Sequence, residues 1–318
     1  MKIVNVMKRG GGLRLGFQKG DSIVDALAGA KAVGAGRPAW FKDTISFISS
    51  GDEGLAAARK IIAGAPKALW TKRSALKLGA PIIPTSILGS GSNYIEHNQE
   101  KANLPISGKE VEFFMMTGDC VIGTDEQIIY EPKLTKKLDV ETELAIVLGK
   151  PGRHIPKEKA LEHVFGYTVV NDVSARDLQV RKSKEGFVWY ETGRGKSFDT
   201  SAPLGPCIVT ADEIGDPQTL DLKTRVNGEL RQSTNTKNMI FTCADIIHHF
   251  SISFTLRPGM IILTGTPGGT AWSADPELGG TWGNYPGLVR AERYCLPGDV
   301  VESEIEKIGI LRNEIIHA

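Results

Sequence analysis

The chain has 318 residues, 41% of them hydrophobic and 24% charged, which suits one large domain or a medium domain with a smaller companion. Its 38 basic and 37 acidic side chains nearly cancel, so no strong field draws in nucleic acid or an anionic membrane, and a small-molecule partner is favoured. Cys120, Cys207, Cys243 and Cys295 are scattered without a CxxC pair, which points to reduced structural thiols rather than a disulfide framework or a zinc site.

The first stretch, Met1 to Phe17, has Lys8, Arg9 and Arg14 among glycines and no continuous apolar segment, so it does not read as a signal peptide. No apolar run approaches the ~20 residues that span a bilayer. The expectation is a soluble, cytoplasmic protein. Short alternating segments over 1–6 and 13–17, then helical patterns at Ile45–Ser50 and Gly54–Ala63, predict a small α+β module over residues 1–78. The prolines of Lys77–Pro84 favour extended chain, and the stretch reads as a linker. Over 79–318 short strands dominate, at Thr142–Leu148, Tyr167–Asn171, Cys207–Thr210, Leu222–Val226, Met260–Thr264 and Val300–Ile305. Asn227-Gly228 between strand-like runs is a hairpin signal. Helical patterns are fewer, at Lys157–His163 and Cys243–Phe250. The fold class is α+β and β-rich, a barrel or sandwich rather than a doubly wound sheet.

Two glycine motifs are incomplete. Gly193-Arg194-Gly195-Lys196-Ser197 ends like a phosphate-binding loop, but Tyr190 stands where the pattern needs its first glycine. Gly89-Ser90-Gly91 begins like a dinucleotide fingerprint, but Tyr94 holds its third glycine position.

Carboxylates carry the chemistry. Read as one strand, Leu138–Gly149 puts Val140, Thr142, Leu144, Ile146 and Leu148 on a core face and Asp139, Glu141, Glu143, Ala145 and Val147 on the other. Neighbouring carboxylates on one face repel, the more so if the small apolar continuation means partial burial. A hard divalent cation such as Mg²⁺, Mn²⁺ or Ca²⁺ relieves that repulsion. A solvated face whose acids guard a sheet edge is the alternative. The strand-like run 165–170 ends at Asn171-Asp172, so Glu141, Glu143 and Asp172 supply three oxygen ligands with open positions for water and substrate. His97 and Glu100 stand at i and i+3, where on a helical turn a carboxylate orients an imidazole as a general base for water. An exposed turn with an incidental ion pair is the alternative. The remaining histidines, His154, His163, His248, His249 and His317, read as surface or structural.

In order along the chain, Asn93-Tyr94-x-x-His97-x-x-Glu100, Glu141-x-Glu143, Asn171-Asp172-Val173-Ser174-Ala175-Arg176-Asp177-x-Gln179, Gly195-Lys196-Ser197-Phe198-Asp199, Val226-Asn227-Gly228-Glu229, Leu263-Thr264-Gly265-Thr266-Pro267-x-Gly269 and Pro297-Gly298-Asp299-Val300-Val301 resemble the fumarylacetoacetate hydrolase family. The resemblance implies that residues 79–318 form a mixed β-roll or sandwich catalytic domain, usually working as a homodimer. It implies Mg²⁺ or Mn²⁺, with Ca²⁺ as a substitute, on Glu141, Glu143 and Asp172. It gives His97 and Glu100 the activation of water and Lys196 the stabilisation of developing negative charge. Arg176 and Gln179 then lie near metal and substrate, and Thr266 touches substrate.

The implied reaction is metal-dependent hydrolysis of a C–C bond in a 1,3-dioxo acid of the acylpyruvate type, in catabolism of aromatic or related compounds. Decarboxylation, isomerisation or hydration of an oxo acid is the alternative, and a catalytically silent scaffold the second; the intact acidic and basic residues speak against the scaffold. The sequence departs from the family in two places. Phe113-Phe114-Met115-Met116 lacks a following lysine, and the segment 270–296, with Trp272, Trp282, Tyr285, Arg290 and Arg293, is long enough to be a lid, a dimer contact or a packed surface loop. Lys182–Trp189 reads as a further mobile cover.

Overall fold

A computed structural model describes residues 1–100 and 108–318. Local sequence sets its elements. Asn227 and Gly228 both take positive φ, 53° and 81°, the twist that a two-residue hairpin needs, and they join strands Asp221–Val226 and Glu229–Asn235. Helix Cys243–Ser253 starts with a capping box, in which Thr242 and Asp245 exchange side-chain and backbone hydrogen bonds. Asp43 caps helix Thr44–Ser49 by accepting from the Ser46 amide at 2.7 Å. The segment Lys157–His163, expected as a helix, is a run of 3₁₀ turns.

The strands form a mixed, strand-rich α/β architecture. A 12-stranded sheet runs in the order Trp70–Lys72, Ser22–Asp25, Leu13–Lys19, Lys2–Met7, Ala202–Thr210, Val164–Asn171, Thr142–Leu148, Ile261–Leu263, Ile87–Gly91 and Glu112–Met116, with Leu78–Gly79 and Val121–Ile122 paired to its side. A 5-stranded sheet contains Glu229–Asn235, Asp221–Val226, Val300–Ile305, Gly309–His317 and Gln127–Tyr130. The N-terminal module is hydrogen-bonded into the large sheet, Lys2 opposite Val209 and Ile3 opposite Ile208. The stretch expected as a linker is extended and pairs with the first strand, Asn5 opposite Gly79.

Both faces of the large sheet are covered, so every residue of Thr142–Leu148 is buried. Leu144, Ile146 and Leu148 pack with Ile246, Ile247 and Phe250 of the long C-terminal helix. Ala145 and Val147 share the second core with Phe17, Phe47 and Ile61 of the N-terminal module. Phe47 ties that core together, with ring centroids 5.2 Å from Phe17, 6.1 Å from Phe41 and 5.9 Å from Phe165. Between the sheets, the hydroxyls of Thr224, Thr142 and Ser303 form a buried chain with links of 2.6 and 2.7 Å. Among the described residues no helix is long and apolar enough to cross a membrane, and all four cysteines are buried and free.

Because Phe47 bridges the N-terminal helices and the catalytic sheet, Phe47→Ala should cost about 3–5 kcal/mol. Urea unfolding followed by fluorescence and circular dichroism together should shift as a single transition. Two separate transitions, only one of them shifted, would show that residues 1–78 fold apart from the rest.

Candidate metal centre and active site

The site grows from the end of two paired strands. Thr142 lies opposite Asn171 in the antiparallel ladder, so Glu141 and Asp172 leave the sheet at the same end. The Asp172 amide donates to the Glu141 carbonyl at 2.8 Å, and the Asn171 side chain accepts from the Glu141 amide at 3.0 Å. Ligand oxygens of Glu141, Glu143 and Asp172 all lie within 4.8 Å of one another, and all three residues are buried.

Asp139 does not share that carboxylate face. The strand breaks at Val140-Glu141, and Leu138–Asp139 pairs instead with Ser174–Ala175. Asp139 turns to the Arg176 Nε at 2.8 Å and to the backbone amides of Ala271 and Trp272 at 3.0 and 2.9 Å. Arg176 also donates to Glu141 and, at 2.8 Å, to Gln179. Lys196, carried by the short helix Thr192–Lys196, donates to Glu141 at 2.6 Å, to Ser174 at 3.0 Å and to Asp172.

His97 and Glu100 are buried rather than on an exposed turn. The imidazole Nδ1 meets Glu100 Oε2 at 2.8 Å, while the other Glu100 oxygen accepts the Gly269 amide at 2.6 Å. With Nδ1 engaged, Nε2 is the nitrogen left for proton transfer. The glycine-rich turn also supports the carboxylate cluster, since the Gly265 amide donates to Glu143 at 2.7 Å. These amides therefore hold the protein's own carboxylates. Thr266 lines the cavity, with its hydroxyl 3.1 Å from the Thr142 carbonyl and 2.9 Å from the Gln232 amide nitrogen.

The electrostatics favour a cation. Around the cavity Glu100, Asp139, Glu141, Glu143 and Asp172 are 0, 1, 3, 2 and 0% exposed, against the obligate cations Arg176 and Lys196. Burial alone would raise the Glu141 carboxyl, but Arg176 and Lys196 outweigh it and hold Glu141 well below the usual range. Burial, reinforced by the charge of Asp172 and opposed by Lys196, pushes Glu143 well above its ordinary value. Burial, opposed by Lys196 and reinforced by Glu141, pushes Asp172 up to about 6. Burial works against the Lys196 ammonium, yet Asp172 and Glu141 outweigh it and raise its pKa. One Asp172 oxygen, Oδ1, is buried and finds no hydrogen-bond partner among the described residues. An all-oxygen set with an orphan carboxylate oxygen fits a hard divalent cation.

His97, Glu141, Glu143, Asp172, Arg176, Gln179, Lys196 and Thr266 all line one cavity of about 470 Å³. Glu100 stands behind His97. Sequence reasoning missed the part played by Trp272, the first aromatic of the long 270–296 segment. Its indole lies 5.8 Å from the His97 ring and 5.7 Å from the Arg176 guanidinium. It is fixed by its amide on Asp139 and by Nε1 on the Leu278 carbonyl at 3.1 Å. Only its aromatic content could have flagged it. Ser174, beside Lys196, gave no signal beyond its place in a motif.

A buried Glu-Glu-Asp cluster beside a His–Glu pair and an ammonium, set at strand ends in a mixed β-rich fold, is an arrangement that could hold a divalent metal. A sequence model described as fumarylacetoacetate (FAA) hydrolase C-terminal matches residues 86–316. The chain is 35% identical over 306 residues to the Homo sapiens mitochondrial oxaloacetate tautomerase FAHD2A, covering 96% of this chain and 88% of that one. The structure is similar to fumarylacetoacetate hydrolase from psychrophilic Exiguobacterium antarcticum, with a TM-score of 0.76, 32% identity and 100% of each chain covered. It is also similar to maleylpyruvate hydrolase from Sphingobium sp. SYK-6 in complex with manganese(II) and pyruvate, with a TM-score of 0.74, 27% identity and 100% of each chain covered. The chain belongs to the fumarylacetoacetate hydrolase family, whose members are enzymes.

Protons on Asp172 and on Glu143 must leave before a cation takes their place, so divalent metal should bind more weakly as pH falls toward and through about 6. Calorimetric titration with Mn²⁺ between about pH 5 and about pH 8 should show that loss, with proton release on binding at the acidic end. Asp172→Asn should weaken binding by at least about tenfold. Affinity independent of pH, or unchanged in the variant, would remove Asp172 from the ligand set.

Proposed function

We propose that this protein is a divalent-metal-dependent enzyme that moves a proton at the carbon beside the oxo group of a small 2-oxo acid, working as a keto–enol tautomerase. The observation that carries this reading is the buried His97–Glu100 pair opening on the same cavity as the three carboxylates and Lys196. Likeness to a tautomerase over 96% of the chain supports it.

The substrate places its oxo-acid head toward Glu141, Glu143 and Asp172. Bound there, Mg²⁺ or Mn²⁺ would supply Lewis-acid polarisation of the oxo group. His97 Nε2 takes the proton from C3, and the C–H electron pair becomes the C2–C3 double bond. The His97 imidazolium then gives its proton to the oxo oxygen, directly or through a water, so keto acid becomes enol with every atom conserved and the base restored, and the reverse path uses the same groups. Glu100 stabilises the transient imidazolium, and the Lys196 ammonium stabilises the negative charge that builds on oxygen. Arg176, locked by Asp139 and Gln179, holds Glu141 ionised.

Hydrolysis of an acylpyruvate is the second reading, favoured by the same dyad, which is equally suited to taking a proton from water. Hydroxide would add to the acyl carbonyl, the C–C bond would break with its electron pair going to C3, and C3 would be protonated. The products are a carboxylic acid and pyruvate. The similar structure named maleylpyruvate hydrolase supports this route.

With Mn²⁺ present, enol decay of 2-oxo acids and product release from acylpyruvates should be measured side by side. Faster tautomerisation without mass change supports the first reading, and pyruvate plus a second acid the second. No turnover of either class would sink both. His97→Gln should lower kcat by about 10²–10⁴-fold while leaving Mn²⁺ affinity within about a factor of two.

A further inference from the structure

We propose that the cavity selects oxo acids whose remote end is uncharged and apolar, such as an aryl group, over those ending in a second carboxylate. This rests on the oxo-acid reading of the inner site and goes beyond it. Oxaloacetate and maleylpyruvate, the substrates in the relatives' names, are both dicarboxylic acids.

Size is the first ground. At about 470 Å³ the cavity lies within the roughly 300–1,000 Å³ typical of sites for drug-sized ligands. A three-carbon oxo-acid head at the carboxylate cage leaves most of that space for a tail.

The apolar lining is the second. Val111, Phe113, Phe114, Tyr190 and Trp272 supply apolar and aromatic wall. Trp272 is anchored at both its amide and its indole nitrogen, and Phe114 is set 5.1 Å from the Lys196 ammonium. Both present rigid ring surface, which gains most from an aromatic or branched tail.

Charge is the third. Glu110 and Glu112 also line the cavity, so a second substrate carboxylate would enter beside like charge. Burial and then the charge of Glu112 push the Tyr190 phenol up, so that field reaches the aromatic wall. Among the described residues the basic side chains on the wall besides the His97 imidazole are Arg176 and Lys196. Each Arg176 nitrogen already donates to a protein acceptor, in Asp139, Gln179 and Glu141. Lys196 spends its three N–H groups on Glu141, Asp172 and Ser174. Recruiting Lys196 for a remote carboxylate would strip a buried carboxylate of its partner, while Arg176 keeps only the second N–H of each terminal nitrogen.

Binding of two unreactive oxo-acid mimics to the Mn²⁺-loaded full-length chain tests this. N-phenyloxamate carries an aryl tail and N-oxalylglycine a carboxylate tail on the same head. N-phenyloxamate should bind at least about tenfold tighter, and Glu112→Lys should shrink that ratio by about tenfold through tighter N-oxalylglycine binding. Trp272→Ala should weaken N-phenyloxamate more than N-oxalylglycine. Equal affinities, tighter N-oxalylglycine, or no binding of either would overturn the proposal. The readout is independent of turnover. A tautomerase or hydrolase that prefers N-oxalylglycine loses only this inference, and a protein inert toward oxo acids that still prefers N-phenyloxamate loses only the reaction.

Discussion

The structure depends on keeping five carboxylates out of water around one cavity. Asp139, Arg176, Glu141, Lys196 and Asp172 form an unbroken chain of alternating charge, each link a direct contact. Breaking one buried link by removing a partner leaves an uncompensated charge, typically costing about 3–5 kcal/mol. Glu143 lies at the end of the chain, held by a single backbone amide from Gly265. It draws the least compensation from the protein, and a cation bound beside it would supply what is missing.

That arrangement constrains the fold around it. The register that sets Thr142 opposite Asn171 brings two ligands together, and the turn after Ile261–Leu263 must approach closely enough to offer amides to both Glu143 and Glu100. Glycine is required at both amides. Gly265 has φ +88° and an added Cβ would meet the Asn93 Cβ at 2.7 Å, while Gly269 has φ +103° and its Cβ would fall 2.1 Å from the Arg231 carbonyl oxygen. One short turn thus fixes both Glu143 of the carboxylate cluster and Glu100, the partner of His97. The buried Thr224–Thr142–Ser303 chain holds the second sheet against the strand that bears Glu143.

Much of this was legible in the sequence because it follows local rules. The Asn227-Gly228 hairpin, the strand Val300–Ile305 and the helix starting at Cys243 come from turn chemistry and periodicity, and the structure places them there. Glu141, Glu143, Asp172 and the His97–Glu100 pair were visible as carboxylates with no structural reason to cluster and as a helical-turn spacing. Asp139 was assigned to the wrong company because period-two alternation assumes an unbroken strand, and the break at Val140-Glu141 depends on pairing with residues 174–175, far along the chain. The burial of both sheet faces was illegible for the same reason. Alternation separates two faces but cannot say that the helices of the first 78 residues cover one of them. Trp272 escaped because its role depends on Asp139 catching two amides of its segment, a long-range contact with no local signature.

The two ends of the cavity explain how related proteins can be named for tautomerisation and for hydrolysis while sharing one architecture. On the proposed reading, the inner end would make C3 of an oxo acid acidic and give its oxygen a stabilising charge, whichever bond changes next. If the leaving group on C3 is a proton, the outcome is an enol; if it is an acyl group that has captured hydroxide, the outcome is cleavage. On that reading the choice would rest on what the aromatic wall admits and on whether water reaches His97. In this chain that wall includes Trp272, packed against the His97 ring and tied through Asp139 to Arg176. A single aromatic side chain thus touches the base and, through one carboxylate, the guanidinium that keeps Glu141 ionised. Substrate fit at the outer wall and the state of the inner charge chain are consequently not independent variables.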